Sequence, residues 1–314
     1  MEIIMFIIIA LIAVLVLAYF KIGKFFYNLA LNSKTDKELV LKDLNDNENQ
    51  EEQRKWREGE LKWLENISDD VYINSTNNGN LRLHAYEIKP KEASNIWVIV
   101  IHGYMGEGNG MTTFARGFDE RKYNVLVVDL RGHGKSEGNY VGMGWDDRLD
   151  IIDWINYIIK KDKDSRIILF GSSMGAATVM MTTGEELPSN VKLAIEDCGY
   201  SSVWDEFSYK LKQLFKLPEF PVLYAANTVC QSKAKYDFKK ASSIEQLKKS
   251  KTPTLFIHGS SDTFVPFEML DKVYDACAAE KEKLVVDNAE HVMSMSVNPK
   301  LYWRTVDNFI QKYL

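Results

Sequence analysis

The sequence predicts a protein of the α/β class with a doubly wound, mostly parallel sheet, a helical cap inserted after the sixth strand, and one N-terminal transmembrane helix. Three observations lead to this prediction. From residue 71 onward, short apolar runs alternate with stretches of helical periodicity, as in parallel sheets joined by crossover helices. The connection at about residues 200–250 is too long for one crossover. An uninterrupted apolar run lies near the N-terminus.

Composition excludes several classes of protein. The 314 residues are 46% hydrophobic and 26% charged, as in ordinary globular proteins. The net charge of −5 argues against nucleic acid as a partner. Cys198, Cys230 and Cys277 lack the paired spacing of a disulfide framework or a zinc site. We therefore expect buried or idle thiols, no metal, and no obligate protein partner.

Residues 1–30 are expected to form a membrane anchor. The run Ile3 to Phe20 has no charge, proline or glycine, and at about 1.5 Å per residue it nearly spans the roughly 30 Å of bilayer hydrocarbon. Residues 25–27 are aromatic and would lie at the membrane interface. The alternative is a cleaved secretory signal. This is less favoured because the run has no basic n-region before it and no clear cleavage motif after it.

The orientation of the anchor is predicted from lysines. None precedes the span, and four follow it: Lys21, Lys24, Lys34 and Lys37. The positive-inside rule then places the bulk of the chain in the cytoplasm, with the outward-facing orientation as the alternative.

Residues 31–70 are expected to be a polar tether followed by an amphipathic helix. The tether is rich in Asn, Asp, Glu and Lys as far as about Gln53. Trp56, Trp63, Leu64 and Ile67 then recur at near-helical spacing, which predicts a helix packed against the following domain, residues 71–314.

That domain begins with a predicted β-hairpin, Val71 to Asn74 and Leu81 to Ile88, around a turn that contains Asn77, Asn78 and Gly79. Six continuous apolar runs follow, as expected of strands buried on both faces: Ile96–Ile101, Val125–Val128, Ile167–Phe170, Val191–Ile195, Thr254–Ile257 and Leu284–Val286. Helices are predicted over Trp145 to Lys160 and over Pro299 to Leu314, the second capped by Asn298.

A nucleophile is predicted where the run ending at Phe170 meets a helix-forming segment. Residues 171–175 read Gly-Ser-Ser-Met-Gly, a G-x-S-x-G motif between a strand and a helix. The flanking glycines permit a sharp turn that would expose Ser173. Ser173 is therefore the candidate nucleophile.

A serine hydroxyl needs a base, and the base needs an orienting acid. Asp262 follows one strand and His291 follows the next, so both would lie at the same edge of the sheet as Ser173. We predict His291 as the general base and Asp262 as the acid, with Asp287 and Glu290 as less favoured acids. Among the other histidines, His84 and His133 are expected to be structural, and His258 lies too close to Asp262 to be the base.

Backbone amides are expected to bind the developing oxyanion. One is the N–H of Met174, at the start of a helix. The other would come from the glycine-rich loop after Ile101, where Tyr104 is the candidate and His102 contributes to the same half of the site. Neither a P-loop nor a dinucleotide-binding motif is present, which disfavours nucleotide binding.

The sequence from about Val71 to Leu314 resembles the α/β-hydrolase superfamily. Five motifs carry the resemblance, in this order: HGYMG, DLRGHGKS, GSSMG, HGSSDTFVP and the late EH. With its anchor, the chain is similar to bacterial membrane-anchored serine hydrolases of the Bem46 and acylaminoacyl-peptidase-like branches. The resemblance implies an α/β-hydrolase fold and serine-dependent acyl hydrolysis with neither a metal nor an organic cofactor. It assigns the same roles to Ser173, Asp262, His291, Tyr104 and Met174.

The apolar cap suggests the substrate. We expect most of its large side chains to pack and some to line an acyl pocket: Trp204, Phe207, Leu211, Leu214, Phe215, Phe220, Val222 and Tyr224. The leading hypothesis is hydrolysis of a carboxylic ester or thioester with a moderately apolar acyl group, including an acyl lipid. The alternatives are a serine peptidase of the acylaminoacyl-peptidase type and a non-catalytic binding protein tethered to the membrane.

Overall fold

The computed structural model describes residues 1–41, 50–76, 79–92 and 94–314. Within these ranges, eight strands form one sheet: β1 (Ser68–Asn74), β2 (Arg82–Ile88), β3 (Ile96–Ile101), β4 (Asn124–Val128), β5 (Arg166–Ser172), β6 (Val191–Asp197), β7 (Thr254–Gly259) and β8 (Lys281–Val286). The spatial order is β1-β2-β4-β3-β5-β6-β7-β8. β1 and β2 pair antiparallel with each other, β2 pairs antiparallel with β4, and all remaining pairs are parallel. The predicted sheet is therefore confirmed, with longer strands than the apolar runs alone indicated.

Helices cover the sheet and extend beyond it. Their bounds are α1 (Glu2–Leu31), α2 (Glu38–Leu41), α3 (Gln50–Ile67), α4 (Thr112–Glu120), α5 (Asp147–Lys161), α6 (Met174–Thr183), α7 (Val203–Phe215), α8 (Glu219–Lys233), α9 (Ser243–Leu247), α10 (Glu268–Ala276), α11 (Ser294–Val297) and α12 (Pro299–Tyr313). Local signals set several ends. Ser202 caps α7 by accepting from the Asp205 N–H, and Asn298 caps α12 in the same way from Leu301.

Each central strand contributes to two apolar cores. In β3, Val98 and Val100 pack with α3, α4 and α12, whereas Ile99 and Ile101 pack with α5, α6, α10 and the cap helices α7 and α8. Because successive strand residues point to opposite faces, both faces must be apolar. This is why the strands appear in the sequence as continuous apolar runs.

The N-terminal helix differs most from expectation. α1 is long and apolar enough to cross a membrane, as either an anchor or a signal sequence would be. It is a single helix of 30 residues that continues beyond the apolar run to Leu31. Its last turns pack on the body, where Gly23, Tyr27 and Leu31 are buried. The predicted interfacial aromatic belt is thus divided, because Phe25 is exposed whereas Phe26 and Tyr27 contact the protein.

The segment after α1 is only partly the expected solvated tether. Lys37 is 3% exposed, and its ammonium group donates to the carbonyls of Asn28 and Asn32, both at 2.9 Å. Residues 42–49 of the tether and Asn77 and Asn78 of the hairpin turn lie outside the described residues.

In α3, the predicted packing holds for some residues and not for others. Leu64 is buried in the core and Trp63 packs against it, but Trp56 and Ile67 are exposed. For Trp56 the expectation was wrong, because the described part of α3 meets the body chiefly near its C-terminal end.

Candidate active site

Ser173 stands on the sharp turn between β5 and α6. Its φ of 56° and ψ of −121° lie in a region that L-residues rarely occupy, which is the strained geometry of a nucleophile turn. Gly175 has to be glycine because an added Cβ would overlap the Ile101 carbonyl of β3. The turn therefore brings the Ser173 hydroxyl up against the end of β3, where the glycine-rich loop begins.

His291 reaches Ser173 from the loop after β8. The Nε2 atom of His291 lies 2.8 Å from Ser173 Oγ, and its Nδ1 atom lies 2.7 Å from Asp262 Oδ2. With the Nδ1 proton donated to Asp262, Nε2 is free to accept the serine proton. The structure thus brings together the three residues that the sequence predicted. Asp287 and Glu290 are exposed and do not hold the ring.

Asp262 is fixed by four donors. Its Oδ1 accepts the backbone N–H groups of Phe264 and Val265, both at 2.9 Å. Its Oδ2 receives His291 and lies 3.2 Å from Nε2 of His258. Burial raises the pKa of Asp262, but the hydrogen bonds from His258 and His291 outweigh it and lower the pKa to about 2. The carboxylate is therefore ionised at any pH near neutrality.

His258 is a site residue that the sequence analysis did not assign. It is fully buried, and its Nε2 also lies 3.1 Å from the Val265 carbonyl. Its position four residues before Asp262, across a tight turn at the end of β7, was the available signal. The prediction that His258 is not the base agrees with this geometry, because its ring contacts the acid rather than Ser173.

The glycine-rich loop after β3 lies directly against Ser173. A Cβ on Gly103 would be 3.2 Å from Ser173 Cβ. The Gly103 carbonyl accepts from His102 Nδ1 at 2.8 Å and from the Gly106 N–H at 3.1 Å. Because a trans peptide holds its C=O and N–H in opposite directions, these bonds also fix the direction of the Tyr104 N–H. Met174 begins α6, so its N–H has no carbonyl one turn earlier to bond.

His102 holds this loop as a neutral ring, and His133 packs beside it. The Leu130 N–H donates to His102 Nε2 at 3.0 Å, so the ring proton is on Nδ1. His133 Nδ1 donates to the Arg131 carbonyl, and the two rings lie 5.0 Å apart. Burial lowers the pKa of His102 and lowers that of His133 to about 3. His84 is also structural, since it is buried between Asp70 and Asp129.

An apolar cavity of about 90 Å³ opens onto Ser173 and Met174. The predicted cap lines one side of it through Phe207, Leu211, Leu214, Phe215 and Val222, whereas Trp204, Phe220 and Tyr224 do not line it. Glu206 and Lys210 of α7 add two ionisable groups to this lining. Burial raises the pKa of Glu206, against the lowering effect of Lys210.

Phe26, Leu29 and Ala30 of α1 complete the cavity, together with Val40. The sequence analysis assigned the whole of residues 1–30 to the membrane and therefore missed them. Seven lysines in and after the cap are exposed: Lys233, Lys235, Lys239, Lys240, Lys248, Lys249 and Lys251.

One group of metal-ligand types occurs among the described residues. Cys198, Asp262 and His291 offer ligand atoms within 4.8 Å of one another. However, His291 and Asp262 already bond each other, and burial raises the pKa of the Cys198 thiol well above its usual value. A protonated thiol is a poor metal ligand, so this donor set does not fit a metal ion. All three cysteines are free and buried.

The fold is that of the α/β-hydrolases, and the arrangement of Ser173, His291 and Asp262 is compatible with that fold. Residues 92–196 match the family model described as serine aminopeptidase, S33. The chain is 26% identical to YqkD of Bacillus subtilis over 229 residues, which are 73% of this chain and 75% of YqkD.

The chain is also similar to a lipase and to an esterase. The thermostable monoacylglycerol lipase of Bacillus sp. H-257 is 23% identical over 252 residues, which cover 69% of this chain and 92% of the lipase. The Pyrococcus furiosus esterase Pf2001 superposes with a TM-score of 0.65 at 25% identity, over 80% of this chain and 95% of the esterase. The narrower resemblance to the Bem46 branch stays a prediction.

Proposed function

We propose that the protein is a serine hydrolase that cleaves carboxylic esters or thioesters with an apolar acyl group. The observation that carries this proposal is the chain of two short contacts, Ser173 Oγ to His291 Nε2 and His291 Nδ1 to Asp262 Oδ2, at the opening of an apolar cavity. The names of the lipase and esterase relatives support the same bond type.

The reaction follows from the geometry. Ser173 Oγ attacks the acyl carbon while His291 Nε2 takes its proton, and the amides of Tyr104 and Met174 bind the resulting oxyanion. The imidazolium, held by Asp262, then protonates the leaving alkoxide or thiolate, which departs from an acyl-serine. Water enters next, gives a proton to His291 and attacks the acyl-serine. The acid is released and the proton returns to Ser173.

We also propose that α1 is an uncleaved membrane anchor and that residues 71–314 form the catalytic domain, facing the cytoplasm. The contacts of Tyr19 and Gly23 with α8 support retention, because cleavage between α1's apolar run and its last turns would remove one or both of them. Protease added to intact cells should leave the domain uncut. Cleavage there, with the membrane intact, would reverse the orientation.

The function is tested on the full chain in detergent, since α1 lines the cavity. A fluorophosphonate should modify Ser173 alone, and p-nitrophenyl esters should be hydrolysed. Ser173→Ala should lose at least about 10³-fold in kcat. Ser172→Ala is the matched control, because the neighbouring hydroxyl contacts Met111 Sδ instead and its loss should leave turnover near wild type.

The family model's description favours one second candidate, a serine aminopeptidase. Aminoacyl p-nitroanilides should therefore be assayed beside the esters, and faster turnover of the anilides would replace the esterase proposal. A folded protein with neither adduct nor turnover would favour the non-catalytic binding protein.

A further inference from the structure

The last two turns of α1 belong to the folded body. α1 crosses α8 at Gly23, where an added Cβ would overlap the Ala225 carbonyl and touch Val229. The Leu31 carbonyl accepts from the Val141 N–H at 2.7 Å. Lys37 then bonds back to the carbonyls of Asn28 and Asn32. These contacts fix the rotation of the helix and hence the face it turns inward.

That inward face is a wall of the cavity at Ser173. Phe26 packs edge-on against Phe215 of α7 with ring centroids 5.2 Å apart, and Leu29 and Ala30 line the same cavity. The Ala30 carbonyl accepts from the Tyr104 hydroxyl at 2.6 Å, so the wall is joined to the loop beside the nucleophile. The neighbouring Phe25 does not line the cavity and is 58% exposed, with its ring edge-on to that of Phe26.

The outward apolar surface continues from α1 onto the cap. Side chains from Ile3 to Phe20 are exposed along the helix, and Phe220 at the start of α8 is 70% exposed. Tyr19, within the apolar run, shares a 3.0 Å hydrogen bond with Thr228 of α8. A membrane that surrounds the apolar run would therefore meet α8, and the cavity behind α8 would lie at the membrane surface.

We infer that α1 is one wall of the acyl pocket and that the substrate is a single-chain amphiphilic ester resident in the membrane, whose acyl chain passes along α1 to reach Ser173. This inference rests on the proposed function. The cavity is lined mainly by apolar side chains and has a volume of about 90 Å³, so it offers room for one acyl chain at most. A chain that moves from lipid into an apolar pocket beside α1 never exposes its methylene groups to water.

Opposite substitutions at Leu29 test the wall. In the full chain, Leu29→Trp should lower kcat/KM for p-nitrophenyl laurate at least tenfold and leave the acetate ester within about threefold. Leu29→Ala should move the preferred chain toward longer acyl groups. Loss of folding cannot produce shifts in opposite directions. The matched control, Leu17→Ala on the exposed part of α1, should keep the wild-type ratio of laurate to acetate.

The membrane route is tested in vesicles of phosphatidylcholine and phosphatidylglycerol. The full chain should hydrolyse 4-methylumbelliferyl palmitate at least tenfold faster when protein and ester share vesicles than when they occupy separate ones. Equal rates, or unchanged laurate-to-acetate ratios in both Leu29 variants, would overturn the inference while Ser173 labelling still upheld the hydrolase. Absence of labelling and turnover in the wild type would instead refute the proposed function and, with it, the inference.

Discussion

The side-chain hydroxyl of Tyr104 donates a hydrogen bond to the main-chain carbonyl of Ala30 over 2.6 Å. This bond joins the loop that we propose for the oxyanion hole to the helix that we propose for the membrane. The Tyr104 ring is thereby held at the cavity, between the nucleophile turn and α1. The position of α1 is therefore coupled to the site, and its packing can be tested separately from the chemistry.

Gly23 should be essential for the docking of α1. Ala in place of Gly favours an isolated helix by about 1 kcal/mol, but at Gly23 the added methyl would overlap the Ala225 carbonyl. We expect Gly23→Ala to lower the thermal midpoint and to speed trypsin cleavage at Lys37. Gly59→Ala in α3, where an added Cβ meets nothing within 4 Å, should be neutral or stabilising. A similar response from the two variants would contradict this packing.

His102 should matter for catalysis because it holds the Gly103 carbonyl. Loss of one oxyanion donor costs about 10²- to 10³-fold in kcat, and a misdirected Tyr104 amide should cost part of that. We expect His102→Gln to lower kcat roughly 10- to 100-fold, with a smaller change in KM. His133→Gln, which alters the adjacent ring, should stay within about threefold. The hypothesis fails if the two variants have equal kcat values.

His258 should act as a positioning residue through Asp262. His258→Phe keeps a ring in the site but removes the contact to Asp262 Oδ2. A hydrogen bond to a charged group contributes about 1.5–3 kcal/mol, and Asp262 keeps its other donors. We therefore expect a loss in kcat of about tenfold with little change in KM. Steady-state kinetics with an acetate ester would measure it, and an unchanged kcat in a folded variant would remove His258 from the site.

Asp197 should make stability depend on pH. Burial raises its pKa to about 7, whereas the usual value is 3.8. Between these values the native state keeps a proton that the unfolded chain has lost, so the free energy of unfolding falls as pH rises from about 4 to 7. Urea unfolding at pH 5 and pH 8 measures the fall in the free energy of unfolding between these two pH values. In Asp197→Asn this fall should be smaller than in the wild type, by at most roughly 2–3 kcal/mol.

In the variant, other buried carboxyls still make the free energy of unfolding depend on pH. Burial also raises the pKa of Asp147 to about 7 and that of Glu196 above its usual value. The comparison must therefore be the difference between wild type and variant at the two pH values. Equal falls in both proteins would show that Asp197 is ionised in the native state near pH 5.

The sheet and the positions of the candidate site residues could be predicted because the burial of a strand on both faces requires a continuous apolar run in the sequence. A strand covered on both faces must be continuously apolar, as Ile96–Ile101 is, and side chains that follow such strands meet at one edge. The strand ends therefore located Ser173, Asp262 and His291 before any coordinates. His258 lies four residues before Asp262, but this spacing alone does not show that the two side chains are in contact, so His258 was not assigned to Asp262.

The docking of α1 could not be predicted for a physical reason. A side chain that faces lipid and one that faces an apolar protein cavity are both apolar. Phe25 and Phe26 are therefore indistinguishable in the sequence. Only the crossing at Gly23 distinguishes their faces. The burial of Lys37 could not be predicted either, because the sequence shows only a lysine that follows the apolar run. In the structure, its ammonium group donates to the carbonyls of Asn28 in α1 and of Asn32 just after it.

The packing of α1 on α8 also determines the properties of a fragment that lacks α1 and is released from the membrane. A body that begins after Leu31 would retain the nucleophile, but Val222, Ala226 and Val229 would lose the helix beside them. The resulting apolar groove would favour self-association or capture of a stray amphiphile. We would therefore expect such a fragment to be less soluble than the full chain and to discriminate less between substrates of the proposed reaction.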